Sequence, residues 1–312
     1  MKLRGYGEDR LVKELTRGLP SGAEVRVGPG DDCAVLGTPR ATRWQLLKTD
    51  VVIEGVHFTR EDDPRRVGWK ALCRALSDIA AMGGVPAHAL VTLAVSPDAK
   101  VARVKALYAG LRRAAAKFGV AIVGGETSRS PGPLFLDIAV SGWVERRCCI
   151  LRSGGRPGDA LYVTGRLGGS RAGRHLDFIP RLAEARWLVT HFRPTAMMDL
   201  SDGLATDLPR LAAASRCGFT FAEAKIPRTR GATLAQALGD GEDFELLFAI
   251  APKLGMKLEP AWHRKFPRLS LTRIGALTAS QLSIVPTAPR TSRKASNLNS
   301  QPLHGFDHFA RR

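Results

Sequence analysis

The sequence predicts an α/β (α+β) protein of two domains, and three observations predict it. Short apolar strands alternate with amphipathic helices along the chain. A length of 312 residues is enough for two ordinary cores. Acidic side chains recur where predicted strands run into loops, the places at which open α/β sheets gather ligands. No apolar run is long enough for a membrane span, and residues 1–10 carry no apolar signal core, so a cytoplasmic protein with no membrane partner is expected. Five cysteines without metal-ligand spacing read as reduced thiols. The net charge of +18 suits either nucleic acid or anionic substrates. No stretch interleaves basic and aromatic residues as a base-stacking platform does, so no specific nucleic-acid partner is expected.

Taken in order, Leu11, Leu15 and Leu19 recur every four residues and predict a helix over 8–19, stopped by Gly18 and Pro20-Ser21-Gly22. A short strand over 24–27 delivers Gly28-Pro29-Gly30-Asp31-Asp32, two carboxylates after a tight turn. Residues 44–49 read as a strand that ends in Asp50. Asp62-Asp63-Pro64 opens a helix to about residue 82, closed by Gly83-Gly84. Near its C-terminal end stands Asp78, where the helix dipole disfavours a carboxylate and a metal or partner cation is expected. Residues 88–95 read as a buried strand and 98–118 as a helix bearing Tyr108. Residues 120–123 read as a strand ending in Gly124-Gly125-Glu126-Thr127, and 134–144 as a long alternating strand.

A domain boundary is expected at 146–151, dividing residues 1–146 from 147–312. Beyond it come a loop over 152–159, a strand over 160–164 and a glycine-rich turn over 165–170. Helices are expected over 180–190 and 204–215, and between them Asp199, Ser201 and Asp202 crowd a strand-to-helix junction. A strand over 219–223 and a short helix over 233–238 follow, and Gly241-Glu242-Asp243 precedes a strand over 244–250. The remainder reads as weak strands between polar loops, with a mobile segment over 287–301 before His304-Gly305-Phe306-Asp307-His308-Phe309.

Asp31, Asp32, Asp50, Glu126, Asp199, Asp202, Glu242 and Asp243 thus stand at expected strand ends, with Asp78 added from a helix. Gathered carboxylates repel one another unless cations lie between them. Mg²⁺ is the natural cation, held by few carboxylates and shared with phosphate oxygens. Gly28, Gly30, Gly124 and Gly125 expose backbone N–H groups to a polyphosphate, and Lys48 and Arg152 add positive charge. Neither G-x-x-x-x-G-K-[ST] nor G-x-G-x-x-G occurs, so a nucleotide site is of another kind. One at a time, each Asp also fits a cap or turn, Ser201 or Asp202 the N-cap of the helix from 204, and His57 and Tyr108 fit packing.

Gly28-Pro29-Gly30-Asp31-Asp32-Cys33-Ala34, Thr49-Asp50 with Glu54-Gly55-Val56-His57-Phe58, and Leu76-Ser77-Asp78-Ile79-Ala80-Ala81-Met82-Gly83 resemble the thiamine-monophosphate kinase family. So do Gly124-Gly125-Glu126-Thr127, Arg152-Ser153-Gly154, Met198-Asp199-Leu200-Ser201-Asp202-Gly203-Leu204, Gly241-Glu242-Asp243-Phe244-Glu245-Leu246 and Gly305-Phe306-Asp307-His308-Phe309. The resemblance implies a two-domain aminoimidazole ribonucleotide synthetase-like fold. In that fold an N-terminal sheet domain, here 1–146, binds ATP and Mg²⁺ and pairs with its copy in a dimer barrel, and a C-terminal mixed-sheet α/β domain, here 147–312, follows. It implies a homodimer in which ATP, as co-substrate, and thiamine monophosphate give ADP and thiamine diphosphate, the last step of thiamine diphosphate biosynthesis, with several Mg²⁺ ions.

By the same resemblance, Asp31, Asp32, Thr49, Asp50, Asp78, Glu126, Asp199 and Asp202 would contact metal. Lys48, Tyr108, Gly125, Glu126, Arg152 and Ser201 would contact ATP, and His57, Glu242, Asp243 and Phe306 would face thiamine monophosphate. Asp202 and Arg152 would position the transition state. No general base is called for, because the acceptor is a phosphate oxygen whose second pKa is about 6. The chain departs from the family pattern at Glu126, where Asp is usual, at Gly155 for Ala and at Phe306 for Tyr, and residues 173–194 form a shorter segment. A related ATP-dependent synthetase or phosphotransferase of the superfamily, and a basic non-catalytic nucleic-acid-binding relative, are the alternatives.

Overall fold

The computed structural model describes Leu3, residues 6–279 and the strand Val285–Pro286; the expected mobile segment 287–301, Phe306 and the motif around it lie outside these. The described residues form two compact units, one of residues 22–149 and 173–191, the other of the described residues among 3–21, 150–172 and 192–286. Elements are numbered in chain order.

The first unit is built on β1 (Val25–Val27), β2 (Ala34–Leu36), β3 (Arg43–Ile53), β4 (Val85–Val95), β5 (Ala121–Arg129) and β6 (Phe135–Glu145), ordered β1-β2-β3-β6-β4-β5. All pairs are antiparallel except β4–β5, which α3 (Val101–Phe118) connects as a crossover. α2 (Pro64–Ala81) starts on an Asp63 N-cap whose side chain accepts the Arg65 N–H, with Pro64 at its first position. It is buried on nearly every side, between the sheet, α3 and α4 (Leu182–His191). Helices α2 and α3 cross where Gly68 and Gly110 leave no side chain between the backbones: a Cβ on Gly68 would lie 2.0 Å from the Leu107 carbonyl oxygen.

The second unit is a sheet ordered β12-β9-β11-β7-β10-β8, from β7 (Ala160–Thr164), β8 (Ala196–Asp199), β9 (Gly218–Phe221), β10 (Leu246–Ile250), β11 (Leu271–Thr278) and β12 (Val285–Pro286). Only β12–β9 is parallel. β7, β8 and β10 are buried along their whole length and read as continuous apolar runs for that reason. α5 (Leu204–Ala214) and α6 (Leu234–Gly239) pack their apolar residues into this core, α6 opening on a capping box between Thr233 and Gln236. α7 (Pro252–Lys265) and α1 (Glu8–Leu15) complete the unit.

The structure corrects several expectations. α1 ends at Leu15, and Leu15 and Leu19 stay exposed, so its leucine spacing does not mark a buried face. β3 runs through Asp50 and β5 through Gly124–Thr127; neither Asp50 nor Glu126 stands at a strand end. In β5 the polar mid-section is exposed to solvent, whereas in β3 only Thr49 of Lys48-Thr49-Asp50 faces the open side; either run looks like a loop when read locally. β10 begins at Leu246, two residues later than expected. α7 fills a stretch expected to hold only weak strands and loops. Gly255 and Pro260 obscured its period, although Pro252 at its first turn, Leu258 and Trp262 on its buried side and His263-Arg264-Lys265 in its last turn fit a helix. Gly255 is needed there, since a Cβ would meet the Tyr162 hydroxyl at 2.8 Å. Both sheets are mainly antiparallel, so the rule that ligands gather at the carboxyl ends of parallel strands does not organise this molecule.

Candidate active site

In the first unit, alternation along β3 puts Lys48 and Asp50 on the helix-covered face and Thr49 on the other. Lys48 Nζ lies 3.2 Å from Asp78 Oδ1 and 4.0 Å from Asp50 Oδ1, and Arg74 Nη2 approaches Asp50 Oδ1 at 3.9 Å. Asp32 joins from the turn before β2; it is buried, and the candidate ligand oxygens of Asp32 and Asp78 lie within 4.8 Å of one another. Asp31 sits beside it, half-buried, its Oδ1 accepting the Asp32 N–H at 3.0 Å. Three carboxylates therefore surround one ammonium, and the cation that the helix dipole demanded for Asp78 is supplied in part by Lys48.

The protonation states follow from this packing. Burial by itself would lower the Lys48 pKa, but Asp78, Asp50 and Asp32 hold the ammonium above the ordinary lysine value. Burial would raise Asp50, yet Lys48, Arg74 and a hydrogen bond with Asp78 keep its carboxyl below the usual range. The Cys33 thiol is pushed well up by burial and by Asp78, so it stays protonated beside the cluster.

Strand register separates the remaining residues of this unit. Val51 pairs with Asp137, Asp137 with Thr92 and Thr92 with Glu126, so all four share the face on which Thr49 lies. The Thr49 hydroxyl donates to both Asp137 oxygens, at 2.8 and 2.9 Å. Glu126 is exposed on the edge strand β5. Gly125 permits β5 to close on β4: its φ is +155°, and a Cβ would fall 1.9 Å from the Val91 carbonyl oxygen. Acidic positions that look like one set in sequence are split here, Asp32, Asp50 and Asp78 on the covered face and Glu126 on the open one, where Asp137 joins it. His57 is buried in the loop after β3, its Nδ1 accepting the Ile53 N–H at 3.1 Å, and Tyr108 is half-buried on α3.

In the second unit, Asp199 is the buried last residue of β8, opposite Leu246. The loop after it is stapled to the loop before β10: Glu242 N–H donates to the Ser201 carbonyl at 2.7 Å and Phe244 N–H to the Leu200 carbonyl at 2.8 Å. Asp202 forms an ion pair with Arg210, and its N–H donates to Asp207 Oδ2 at 3.0 Å. Neither Ser201 nor Asp202 caps α5; Gly203 occupies the N-cap without a side-chain bond. Arg210 also meets Asp207 at 3.3 Å and Asp9 of α1 at 2.8 Å. Asp207 is fully buried, and burial together with Asp202 raises its pKa well above the usual carboxylate value despite Arg210.

Asp243 is buried, and both its oxygens accept the Gly168 N–H at 3.1 Å, so it pins the glycine-rich turn. Glu242, expected beside it as an alternative, takes φ +53°, a conformation in which non-glycine residues are uncommon. Arg152 is half-buried and its carbonyl accepts the Ser215 hydroxyl at 3.0 Å. Sequence reasoning missed Arg74, Asp137, Asp207 and Arg210. Asp207 and Arg210, at i and i+3 on α5, carried a readable signal; Arg74 and Asp137 find their partners only through folding.

A family model described as AIR synthase related protein, N-terminal domain, matches residues 30–144. The thiamine-monophosphate kinase of Rhodopirellula baltica is 41% identical over 259 residues, spanning 78% of this chain and 80% of that protein. The chain belongs to the thiamine-monophosphate kinase family. The family member of Escherichia coli K12 is 33% identical over 274 residues, covering 78% of this chain and 82% of its own. Among solved structures, AaThiL complexed with AMPPCP and TMP superposes with a TM-score of 0.80 at 30% identity, covering 99% of both chains. The E. coli hydrogenase maturation protein HypE, at 19% identity and a TM-score of 0.67 over 83% of this chain and 87% of its own, shares the fold alone.

Proposed function

We propose that this chain phosphorylates thiamine monophosphate to thiamine diphosphate with ATP, by direct in-line phosphoryl transfer. The observation that carries the reading is the convergence of Asp32, Asp50 and Asp78 on Lys48 in a chain of this family. The acceptor phosphate is already ionised at neutral pH, so the protein's task is to orient two anions and offset their charge rather than to remove a proton.

Several Mg²⁺ ions are part of the proposal. The buried carboxylates Asp32, Asp78 and Asp199, with Asp50 and Asp202, are the hard oxygen donors that Mg²⁺ takes. When bound, Mg²⁺ neutralises charge on the phosphate oxygens. Asp31, Thr49 and Glu126 are proposed as further contacts to metal. Lys48, Tyr108, Gly125, Glu126, Arg152 and Ser201 are proposed for ATP. His57, Glu242 and Phe306 are proposed for thiamine monophosphate; Asp243, spent on the glycine turn, supports Glu242 over itself. Arg152 and Asp202 are the proposed positioning groups. The reading includes a 1–146 domain that binds ATP and pairs with its copy, a 147–312 domain, and a cytoplasmic homodimer. Exposed Leu47 and Leu90 on the open face of the first sheet support pairing there.

Incubation of the purified protein with ATP, Mg²⁺ and thiamine monophosphate should yield thiamine diphosphate by chromatography. A folded protein that forms none under these conditions overturns the reading.

A further inference from the structure

Helix α2 carries Arg66, Trp69 and Lys70 at i, i+3 and i+4, a spacing that puts the three side chains on one face. All three hold the segment that begins at Gly173. Arg66 donates to the Gly173 carbonyl and, through Nε, to Asp177 Oδ2, both at 2.9 Å. Trp69 Nε1 donates to the Phe178 carbonyl at 2.9 Å, and Lys70 Nζ meets His175 Nδ1 at 2.7 Å. Lys70 also reaches a second segment: Nζ donates to the main-chain carbonyl of His57 at 2.5 Å.

Lys70 is wholly buried, with an exposure of 0%. A buried ammonium is unfavourable unless the fold supplies its hydrogen bonds, and an apolar side chain of similar volume would pack there with less penalty. Packing alone therefore does not call for lysine at this position. An ammonium only donates, so His175 accepts at Nδ1 and its ring proton is assigned to Nε2. His57 is braced a second time, its own N–H donating to the Ile53 carbonyl at 2.9 Å.

We propose that Lys70 is a positioning residue for thiamine monophosphate: it locks the His57 loop to the 173–178 segment and so sets the loop's geometry before the substrate arrives. This rests on the assignment of His57 as a thiamine monophosphate contact. Steady-state kinetics of Lys70→Met in the full chain should show KM for thiamine monophosphate raised about tenfold, the scale of one lost buried hydrogen bond, with KM for ATP unchanged. Unchanged values for both substrates, or an equal rise in both, would overturn the proposal. If Lys70→Met does not fold, His175→Leu removes one acceptor and keeps the His57 bond; the same one-sided rise, smaller in size, is expected, and its absence overturns the proposal. His57→Ala separates the two layers. An unchanged KM for thiamine monophosphate in that variant removes His57 from the site, whereas a rise there without one in Lys70→Met defeats the Lys70 proposal alone.

Discussion

At the scale of single residues, each buried charge is explained by what surrounds it. Lys48 keeps its proton because three carboxylates outweigh the effect of burial. In the cysteines of the same unit burial itself raises the pKa, so the proton is kept for the opposite reason. Burial, with Asp31 and Cys148 nearby, pushes the Cys149 thiol up to about 12 from a reference of 9.0. Only the thiolate reacts, and a raised pKa holds the thiol form at neutral pH. Native Cys149 should therefore be alkylated by iodoacetamide about a thousandfold more slowly than in the unfolded chain, with the rate still climbing as pH rises past 9. Mass-spectrometric labelling rates across that range check this; a native rate equal to the unfolded one would refute it. His57, Glu242 and Asp243 show the complementary lesson. Residue type allowed several roles for each, and only the hydrogen-bond partner chooses: Asp243 holds Gly168, while Glu242 sits in a constrained backbone.

Helices and strands raise a different question, namely how close they come. Gly110 on α3 faces the backbone of α2, where a Cβ would lie 1.9 Å from the Arg65 carbonyl oxygen. A methyl group there must push two packed helices apart. Gly110→Ala is expected to destabilise the protein by about 1–3 kcal/mol, the range of overpacked cores, despite alanine's better helix propensity. Guanidinium unfolding would measure it, and a neutral or stabilising result would show that the helices can separate without loss. Most elements were legible from periodicity: α2, β6, β7 and α6 lie within a residue or two of where hydrophobic pattern and caps put them. Three of those misplaced, β3, β5 and α7, share a physical cause. β3 and β5 carry Lys-Thr-Asp and Gly-Gly-Glu-Thr through their middles, and α7 contains Gly255 and Pro260. Each run has the composition of a loop and keeps its regular structure because neighbouring strands or a buried Trp262 hold it there.

For the whole molecule, the proposed pairing of two copies makes a direct prediction. Leu90 is 47% exposed, in the row of the open face that also holds Ala139 and Thr49. A glutamate there would bring two like charges together across a symmetric contact. Leu90→Glu should sediment as a monomer at concentrations where the wild-type chain is a dimer, with an unchanged far-ultraviolet circular dichroism spectrum. A dimer that survives the substitution places its interface elsewhere. The charge of +18 is scattered along the sequence with no stretch that interleaves basic and aromatic residues, which keeps phosphate-bearing substrates as its natural counterpart.

The sequence by itself determined the α/β class, the order of the acidic motifs and membership in the family, because these depend on local pattern and on which residues stand where. Tertiary structure alone decided that Asp32, Asp50 and Asp78 gather on Lys48, that Glu126 and Thr49 lie on the opposite face of the same sheet, and that Lys70 ties two distant segments together. The reason is that register and burial are set by pairings between residues far apart in the chain. A one-residue difference in where a strand is taken to pair moves every side chain to the other face. Local composition carries no record of that choice.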